Sequence, residues 1–163
     1  MKLIHYTNEE FELKPLKYYQ EDLHWQAKPN GLWVSVEGDC DWKWWCETEE
    51  FRLENLNISY EVVLKEEAKI LHLTTPEEIL DLTNQYPFLN KVWDDLQGRK
   101  LGRTYEINWS KIKEQYQGIV IAPYQWDCRL NLDCNWYYGW DCASGCIWDV
   151  SCIEEFKLRK NDE

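Results

Sequence analysis

The stretch Leu3-Ile4-His5-Tyr6-Thr7 decides how the rest of this sequence is interpreted. Apolar and polar side chains alternate along residues 2–6, which is the pattern of a β-strand with one buried face. The residues that follow, Thr7-Asn8-Glu9-Glu10, have the spacing of a capping box and predict a helical turn. We therefore expect a first strand that carries a histidine, with Thr7 having a structural explanation as a helix cap.

Further strands and helices follow in irregular order. Strands are predicted at residues 31–36, 58–64, 69–73, 119–122, 136–140 and 146–153, with 58–64 and 69–73 forming a hairpin. Helices are predicted from Asp41 to about residue 51, from Thr75 to about residue 85 and over residues 110–116, with one turn within residues 18–25. Because strict strand-helix-strand alternation is missing, we expect a single α+β domain over residues 1–157. The charged residues from 154 onward are expected to fray, and residues 158–163 form a charged tail.

Length and charge restrict the function further. The chain has 163 residues, which is enough for one domain with its own core. Its 30 acidic and 18 basic residues give a net charge of -12, and such a surface repels a phosphate backbone. The main basic stretch, residues 99–103 with Lys111 and Lys113, is short and interrupted, which is typical of a solvated loop. We therefore expect a protein partner rather than a nucleic acid.

Location and metal content are predicted from what the sequence does not contain. No apolar run approaches the roughly 20 residues of a membrane span, and the first residues lack a signal-peptide core. We therefore expect a cytoplasmic protein without membrane contact, whose 7 cysteines are reduced. None of them has the Cys-x-x-Cys spacing of structural zinc, so no metal is expected. Unlike His5, His24 and His72 do not belong to a recognisable motif. We interpret both as structural residues.

Aromatic residues are unusually frequent, with 11 tryptophans and 10 tyrosines. Each large ring buries much area, so most of them are expected in the core. The remaining rings can line a cleft for a flat ligand such as nicotinamide, adenine or the face of a sugar.

Three segments carry the residues of chemical interest. They are residues 4–7 (Ile-His-Tyr-Thr), residues 31–35 (Gly-Leu-Trp-Val-Ser) followed by Trp45-Cys46, and residues 140–149 (Trp-Asp-Cys-Ala-Ser-Gly-Cys-Ile-Trp-Asp). In this order they resemble the diphtheria-toxin-like and poly(ADP-ribose)-polymerase-like branch of the ADP-ribosyltransferases. That family has a first-strand His followed two residues later by Ser or Thr, then a strand of the form Gly-Ile-Tyr-Phe-Ala/Ser, and later a strand that begins with Glu.

The resemblance implies a split β-sheet core and NAD as the substrate in its cleft. His5 and Thr7, with Tyr6 between them, would hold the adenosine ribose and the nicotinamide amide, and His5 is also a candidate catalytic residue. Trp33 and Trp45 would flank the nicotinamide ring. The remaining cofactor-binding positions implied by the resemblance are Gly31, Ser35 and Ser144.

The catalytic carboxylate is where this sequence departs from the family. Breaking the nicotinamide glycosidic bond leaves an oxocarbenium-like ribose, which a nearby carboxylate stabilises. The late segment contains Ser144-Gly145-Cys146 without the family's Glu, so Asp141 is the nearest candidate. Trp45 stands where the family has Tyr. Tryptophan keeps an aromatic face for stacking but lacks the tyrosine hydroxyl.

The sequence therefore predicts a mono-ADP-ribosyltransferase that modifies a macromolecule, with protein the expected acceptor. Two alternatives stay open. One is a catalytically inactive module that binds a nucleotide or a protein, such as a phage or bacterial conflict factor, which the missing Glu favours. The other is a structural or interaction domain whose tryptophans all belong to the core.

Overall fold

A seven-stranded sheet organises the residues that the computed structural model describes, which are 1–14, 27–88 and 107–159. Its strands are β1 (Leu3–Thr7), β2 (Leu32–Val36), β3 (Ile58–Leu64), β4 (Ile70–Leu73), β5 (Gly118–Ile121), β6 (Ser144–Ile147) and β7 (Ile153–Leu158). Their order is β4-β5-β6-β2-β1-β3-β7. Neighbouring strands are antiparallel except β4 and β5, which are parallel. The first strand of the chain therefore lies inside the sheet.

Helices complete a single mixed α and β domain. They are α1 (Trp42–Glu49), α2 (Pro76–Gln85), α3 (Trp109–Lys113) and α4 (Trp126–Arg129), with 3₁₀ segments at Leu53–Leu56, Leu132–Gly139 and Val150–Cys152. Among the described residues, none of the helices has the length and apolar character needed to cross a membrane.

Local signals set the starts of the two longest helices. At α1 the Asp41 carboxylate accepts a hydrogen bond from the Trp44 amide at 2.8 Å. At α2 the Thr75 hydroxyl accepts from the Glu78 amide at 3.2 Å, while the Glu78 carboxylate accepts from the Thr75 amide at 3.3 Å. Each pair satisfies amides that have no partner within the helix. The predicted helix starts at Asp41 and Thr75 are confirmed.

Two apolar clusters cover the two faces of the sheet, because successive side chains of a strand point to opposite faces. Leu32 and Val34 of β2 join a cluster with Leu3, Val62 and other aliphatic residues. Trp33 instead packs against the larger cluster. That cluster contains four tryptophans that are almost fully buried, namely Trp109, Trp136, Trp140 and Trp148.

The predicted hairpin of residues 58–64 and 69–73 is wrong. Strand β4 pairs in parallel with β5, where Ile70 lies opposite Gly118. The reason is that β1 and β7 already occupy both edges of β3, so no edge remains for β4. Gly118 is the first residue of β5.

Two predicted strands near the end of the chain are also wrong. Residues 136–140 lie mostly in the 3₁₀ segment Leu132–Gly139, because a short apolar run fits a buried helical turn as well as a strand. The strand predicted at residues 146–153 is interrupted by the 3₁₀ turn at Val150–Cys152.

The expected fraying from residue 154 onward is contradicted by β7, which pairs with β3 as far as Leu158. Phe156 stacks on Tyr60 with ring centroids 4.6 Å apart, so this charged segment has an apolar anchor.

The capping turn predicted at Thr7 is wrong as well. The Thr7 hydroxyl instead closes a local turn with Glu9, donating to its carbonyl at 3.1 Å and accepting from its amide at 3.3 Å. The predicted turn at residues 18–25, His24, the basic residues 99–103 and residues 160–163 lie outside the described residues.

Candidate functional site

A cavity of about 260 Å³ lies between β1 and β2. Its walls are mainly aromatic and apolar, with a few polar side chains. The lining residues are Ile4, His5, Tyr6, Lys28, Trp33, Val34, Ser35, Trp42, Asn55, Trp140, Asp141, Cys142 and Ser144.

The position of this cavity follows from the short pairing of β1 with β2. The two strands pair over 2 residue pairs, Leu3 with Val36 and Ile4 with Ser35, whereas β1 pairs with β3 over 5. Three consecutive residues of each strand line the cavity, although alternate residues of a strand point to opposite faces. The cavity therefore lies where the strands diverge, and it reaches the backbone of both.

His5 spans this divergence. Its Nδ1 lies 2.8 Å from the carbonyl oxygen of Trp33, and because a carbonyl only accepts, Nδ1 carries the proton. In the neutral ring Nε2 is then a hydrogen-bond acceptor. Burial lowers the pKa of His5, although the hydrogen bond to Trp33 opposes part of this shift. The imidazole also packs on Phe11, with ring centroids 4.8 Å apart.

Tryptophan rings and one lysine form a second part of the wall. The rings of Trp33 and Trp140 meet edge to face with centroids 4.9 Å apart. The Lys28 ammonium lies 5.2 Å from the centroid of the Trp33 ring, which is within the range of a cation–π interaction. Lys28 is the only lysine or arginine among the described lining residues. The cavity therefore offers a flat apolar wall with one positive charge beside it.

Asp141 supplies the only carboxylate of the described lining. Its Oδ1 lies 3.8 Å from Nη1 of Arg129. The same Nη1 donates to the Tyr124 hydroxyl at 2.7 Å, and the guanidinium lies over the ring of Trp45, 5.1 Å from its centroid. Asp141 therefore has Arg129 as its counter-ion. Trp45 is not part of the described cavity lining, but its ring contacts the same Arg129 guanidinium.

Polar groups near β6 and α1 have local partners. The Ser35 hydroxyl accepts from the Trp42 amide at 2.9 Å, which ties β2 to the start of α1. The Ser144 hydroxyl donates to the Cys142 carbonyl at 3.0 Å. Burial raises the pKa of the Cys142 thiol to about 12, so this thiol is neutral near pH 7 and is a poor nucleophile.

Six of the predicted site residues line the cavity: His5, Tyr6, Trp33, Ser35, Asp141 and Ser144. They come from three distant segments of the chain. Three other predicted residues, Thr7, Gly31 and Trp45, are not among the described lining residues.

The other three residues have different surroundings. Thr7 closes its turn with Glu9, and Trp45 packs against Arg129. Gly31 lies tightly against β6, where an added Cβ would come within 2.7 Å of both Cys146 Sγ and the Ile147 carbonyl oxygen. The close packing against β6 therefore explains why residue 31 is a glycine.

Sequence reasoning missed several lining residues, above all Lys28, Trp42 and Trp140. Lys28 belongs to a stretch without periodicity, and its only signal is a cation shortly before the turn residues that precede β2. The tryptophans have no signal that separates a cavity wall from a core, because both environments require a buried aromatic face.

A second cavity of about 410 Å³ lies along β3 and the loop that follows it. Lys65 and His72 are among its lining residues, and no aromatic ring is part of its described lining apart from the imidazole of His72. Among the described residues, no group of three His, Cys, Asp or Glu side chains is arranged to hold a metal ion. Six of the seven cysteines are buried, and Cys40 is partly exposed.

Comparison of the chain with protein-family models, with curated proteins and with solved structures finds no match. The function is therefore inferred from the cavity between β1 and β2.

Proposed function

We propose that this protein binds NAD in the cavity between β1 and β2 and transfers ADP-ribose to a macromolecular acceptor, with protein as the favoured class. The observation that carries the proposal is the meeting of His5, Trp33 and Asp141 in one cavity. These residues belong to the three segments through which the sequence resembles ADP-ribosyltransferases. We also propose that the divergence of β1 from β2 corresponds to the split sheet of that family.

Each part of NAD has a chemically suitable neighbour in this proposal. The face of Trp33 suits a flat ring, because offset and edge-to-face aromatic contacts are favourable. The Lys28 ammonium suits the anionic pyrophosphate. The neutral imidazole of His5 accepts a hydrogen bond from a ribose hydroxyl through Nε2.

The proposed reaction breaks the bond between the ribose C1′ and the nicotinamide nitrogen. The electron pair of that bond leaves with nicotinamide, and positive charge grows on the ribose. The Asp141 carboxylate stabilises this charge at short range. A nucleophile of the acceptor then forms the new bond to C1′ and releases its proton.

A second candidate function is binding of NAD or ADP-ribose without cleavage. It is favoured by the ion pair between Asp141 and Arg129, because a carboxylate with a counter-ion at 3.8 Å stabilises a growing cation less effectively. Ser144, at the start of β6, also lacks the carboxylate that the family has there. In both candidate functions we propose a cytoplasmic location, because NAD is an intracellular metabolite.

Calorimetry with NAD combined with chromatography of released nicotinamide tests the two candidates. Transfer predicts NAD binding, slow nicotinamide release and label on acceptors incubated with labelled NAD. Asp141→Asn should abolish release while NAD still binds. Asp127→Asn is the control, because Asp127 is an exposed carboxylate on α4 outside the cavity. Tight binding without release identifies the binding module, and absence of NAD binding contradicts both functions.

A further inference from the structure

Trp44, Trp126 and Tyr138 are among the exposed aromatic rings of the described surface. Trp126 is 52% exposed, Tyr138 is 57% exposed and Trp44 is 36% exposed. The rings of Trp44 and Trp126 meet at nearly a right angle with centroids 6.3 Å apart, and the Arg129 guanidinium lies 5.6 Å from the centroid of Tyr138. We call Trp44, Trp126, Tyr138 and Arg129 the aromatic patch.

The aromatic patch is connected to the cavity through Arg129. This guanidinium lies 3.8 Å from the carboxylate of Asp141, which lines the cavity. A molecule that covers the aromatic patch therefore lies beside the Asp141 side of the cavity.

A buried neighbour holds the ring of Trp126 in place. Trp126 packs edge to face on the buried Tyr124, with centroids 4.7 Å apart. The Tyr124 hydroxyl donates to the Trp140 carbonyl at 2.7 Å and accepts from Arg129. A ring that is already fixed loses little conformational entropy on binding, which is why tryptophan, tyrosine and arginine are frequent at binding hot spots.

The segments that carry the aromatic patch are mainly acidic. Residues 41–50 and 126–141 contain seven carboxylates and two basic side chains. Both basic residues have acidic partners, because Lys43 lies 3.9 Å from Glu47 and Arg129 lies 3.8 Å from Asp141. The two segments that carry the aromatic patch therefore have more carboxylates than basic side chains.

We propose that the aromatic patch docks a lysine- and arginine-rich segment of a partner protein. The cationic heads lie over the exposed faces of Trp44 and Trp126, and the excess of carboxylates in these two segments favours a cationic partner. A nucleic acid also offers rings to stack on, but its phosphates meet the same carboxylates and are repelled. The docking surface itself does not depend on the proposed transfer reaction. Only the identification of the docked partner as the ADP-ribose acceptor rests on that proposed function.

Fluorescence anisotropy with the full chain and three labelled probes tests the inference. The probes are a short peptide rich in arginine and lysine, a glutamate-rich peptide of equal length and a single-stranded oligothymidylate. We expect the basic peptide to bind and the other two not to bind. The double variant Trp126→Ala, Tyr138→Ala keeps every charge, so a loss of roughly tenfold or more in its affinity assigns binding to the rings.

Leu158→Ala is the matched control, because Leu158 is an exposed apolar residue on the edge strand β7. It should bind the basic peptide as the wild type does. Equal affinity in the double variant and the wild type would overturn the inference, since it would show attraction to net charge alone. Preference for the oligothymidylate would overturn it too.

Asp127→Lys provides a second variant that tests the electrostatic part of the inference. It leaves the rings in place and should weaken binding of the basic peptide, so unchanged affinity counts against the proposed occupant. Calorimetry with NAD on all variants separates this inference from the proposed function. NAD binding without peptide binding contradicts only the docking surface, whereas peptide binding without NAD binding contradicts only the NAD site.

Discussion

The imidazole of His5 on β1 is hydrogen-bonded to the backbone carbonyl of Trp33 on β2, with Nδ1 and the oxygen 2.8 Å apart. Backbone pairing of the two strands ends one residue earlier, at Ile4 and Ser35. The side chain therefore continues the contact between the strands where the backbones separate, and its orientation is fixed by the strand that it contacts.

Acidic pH should weaken the fold through His5. Burial lowers the pKa of His5 in the folded chain from its ordinary value of 6.5, so the unfolded chain binds this proton first as the pH falls. The contribution of His5 to stability is complete above pH 6.5 and is lost as the pH falls through the folded pKa. Urea unfolding of the wild type and of His5→Gln at several pH values measures this change. The variant should lose this part of the pH dependence.

His72→Gln is the control for that experiment, because His72 is exposed on β4 and does not contact His5 in the described structure. It should keep the wild-type pH dependence. An equal loss of pH dependence in both variants would contradict the assignment to His5.

Lys28 should contribute to the affinity for NAD but not to the affinity for nicotinamide. A charge-assisted contact contributes about 1.5–3 kcal/mol, so Lys28→Gln should weaken NAD binding roughly tenfold or more. Nicotinamide has no phosphate, and its binding should not change. Calorimetry with the two ligands measures both effects. Lys65→Gln, which removes the same charge from the second cavity, should leave NAD binding unchanged.

Gly31→Ala should destabilise the sheet. The new methyl group would meet the Ile147 carbonyl oxygen at 2.7 Å, and a backbone atom inside a strand cannot move aside without disturbing its ladder. Overpacking of this kind costs about 1–3 kcal/mol. Urea denaturation gives the free energy of unfolding. At Gly139 the nearest atom to an added Cβ is Lys28 Cε at 3.3 Å, so Gly139→Ala should have a smaller effect.

Thr83→Val should destabilise the larger core cluster at almost constant side-chain volume. The Trp136 indole donates to the Thr83 hydroxyl at 2.8 Å, and that hydroxyl donates in turn to the Ile79 carbonyl at 2.8 Å. Valine leaves the buried indole N–H without this acceptor, which costs about 1–3 kcal/mol. Thermal and urea unfolding measure the loss. Thr48→Val, on the exposed side of α1, should unfold almost as the wild type does, and an equal loss there would contradict the explanation.

Local features of the fold were predictable from sequence, while strand pairing was not. The caps Asp41 and Thr75 act on amides two or three residues away, so their effect is visible in a short window. The partner of β4 depends instead on β1 and β7 occupying the edges of β3, which involves both ends of the described chain. A short apolar run such as residues 136–140 fits several local structures, and only packing decides among them.

The candidate site shows the same limit. The order of three segments along the chain predicted the site residues, and six of those residues line the cavity. Lys28 lies outside those segments and reaches the same cavity because the chain folds around Trp33. No spacing within the sequence expresses that proximity.

The two residue pairs between β1 and β2 divide the sheet into a group with β4, β5, β6 and β2 and a group with β1, β3 and β7. A ligand in the cavity touches both groups and acts as a non-covalent cross-link between them. Binding to the folded chain then raises its stability by mass action, and the strongest protection from hydrogen exchange should appear at the amides of Ile4 and Ser35. Exchange at these two amides is therefore a direct reporter of whether the cavity is filled.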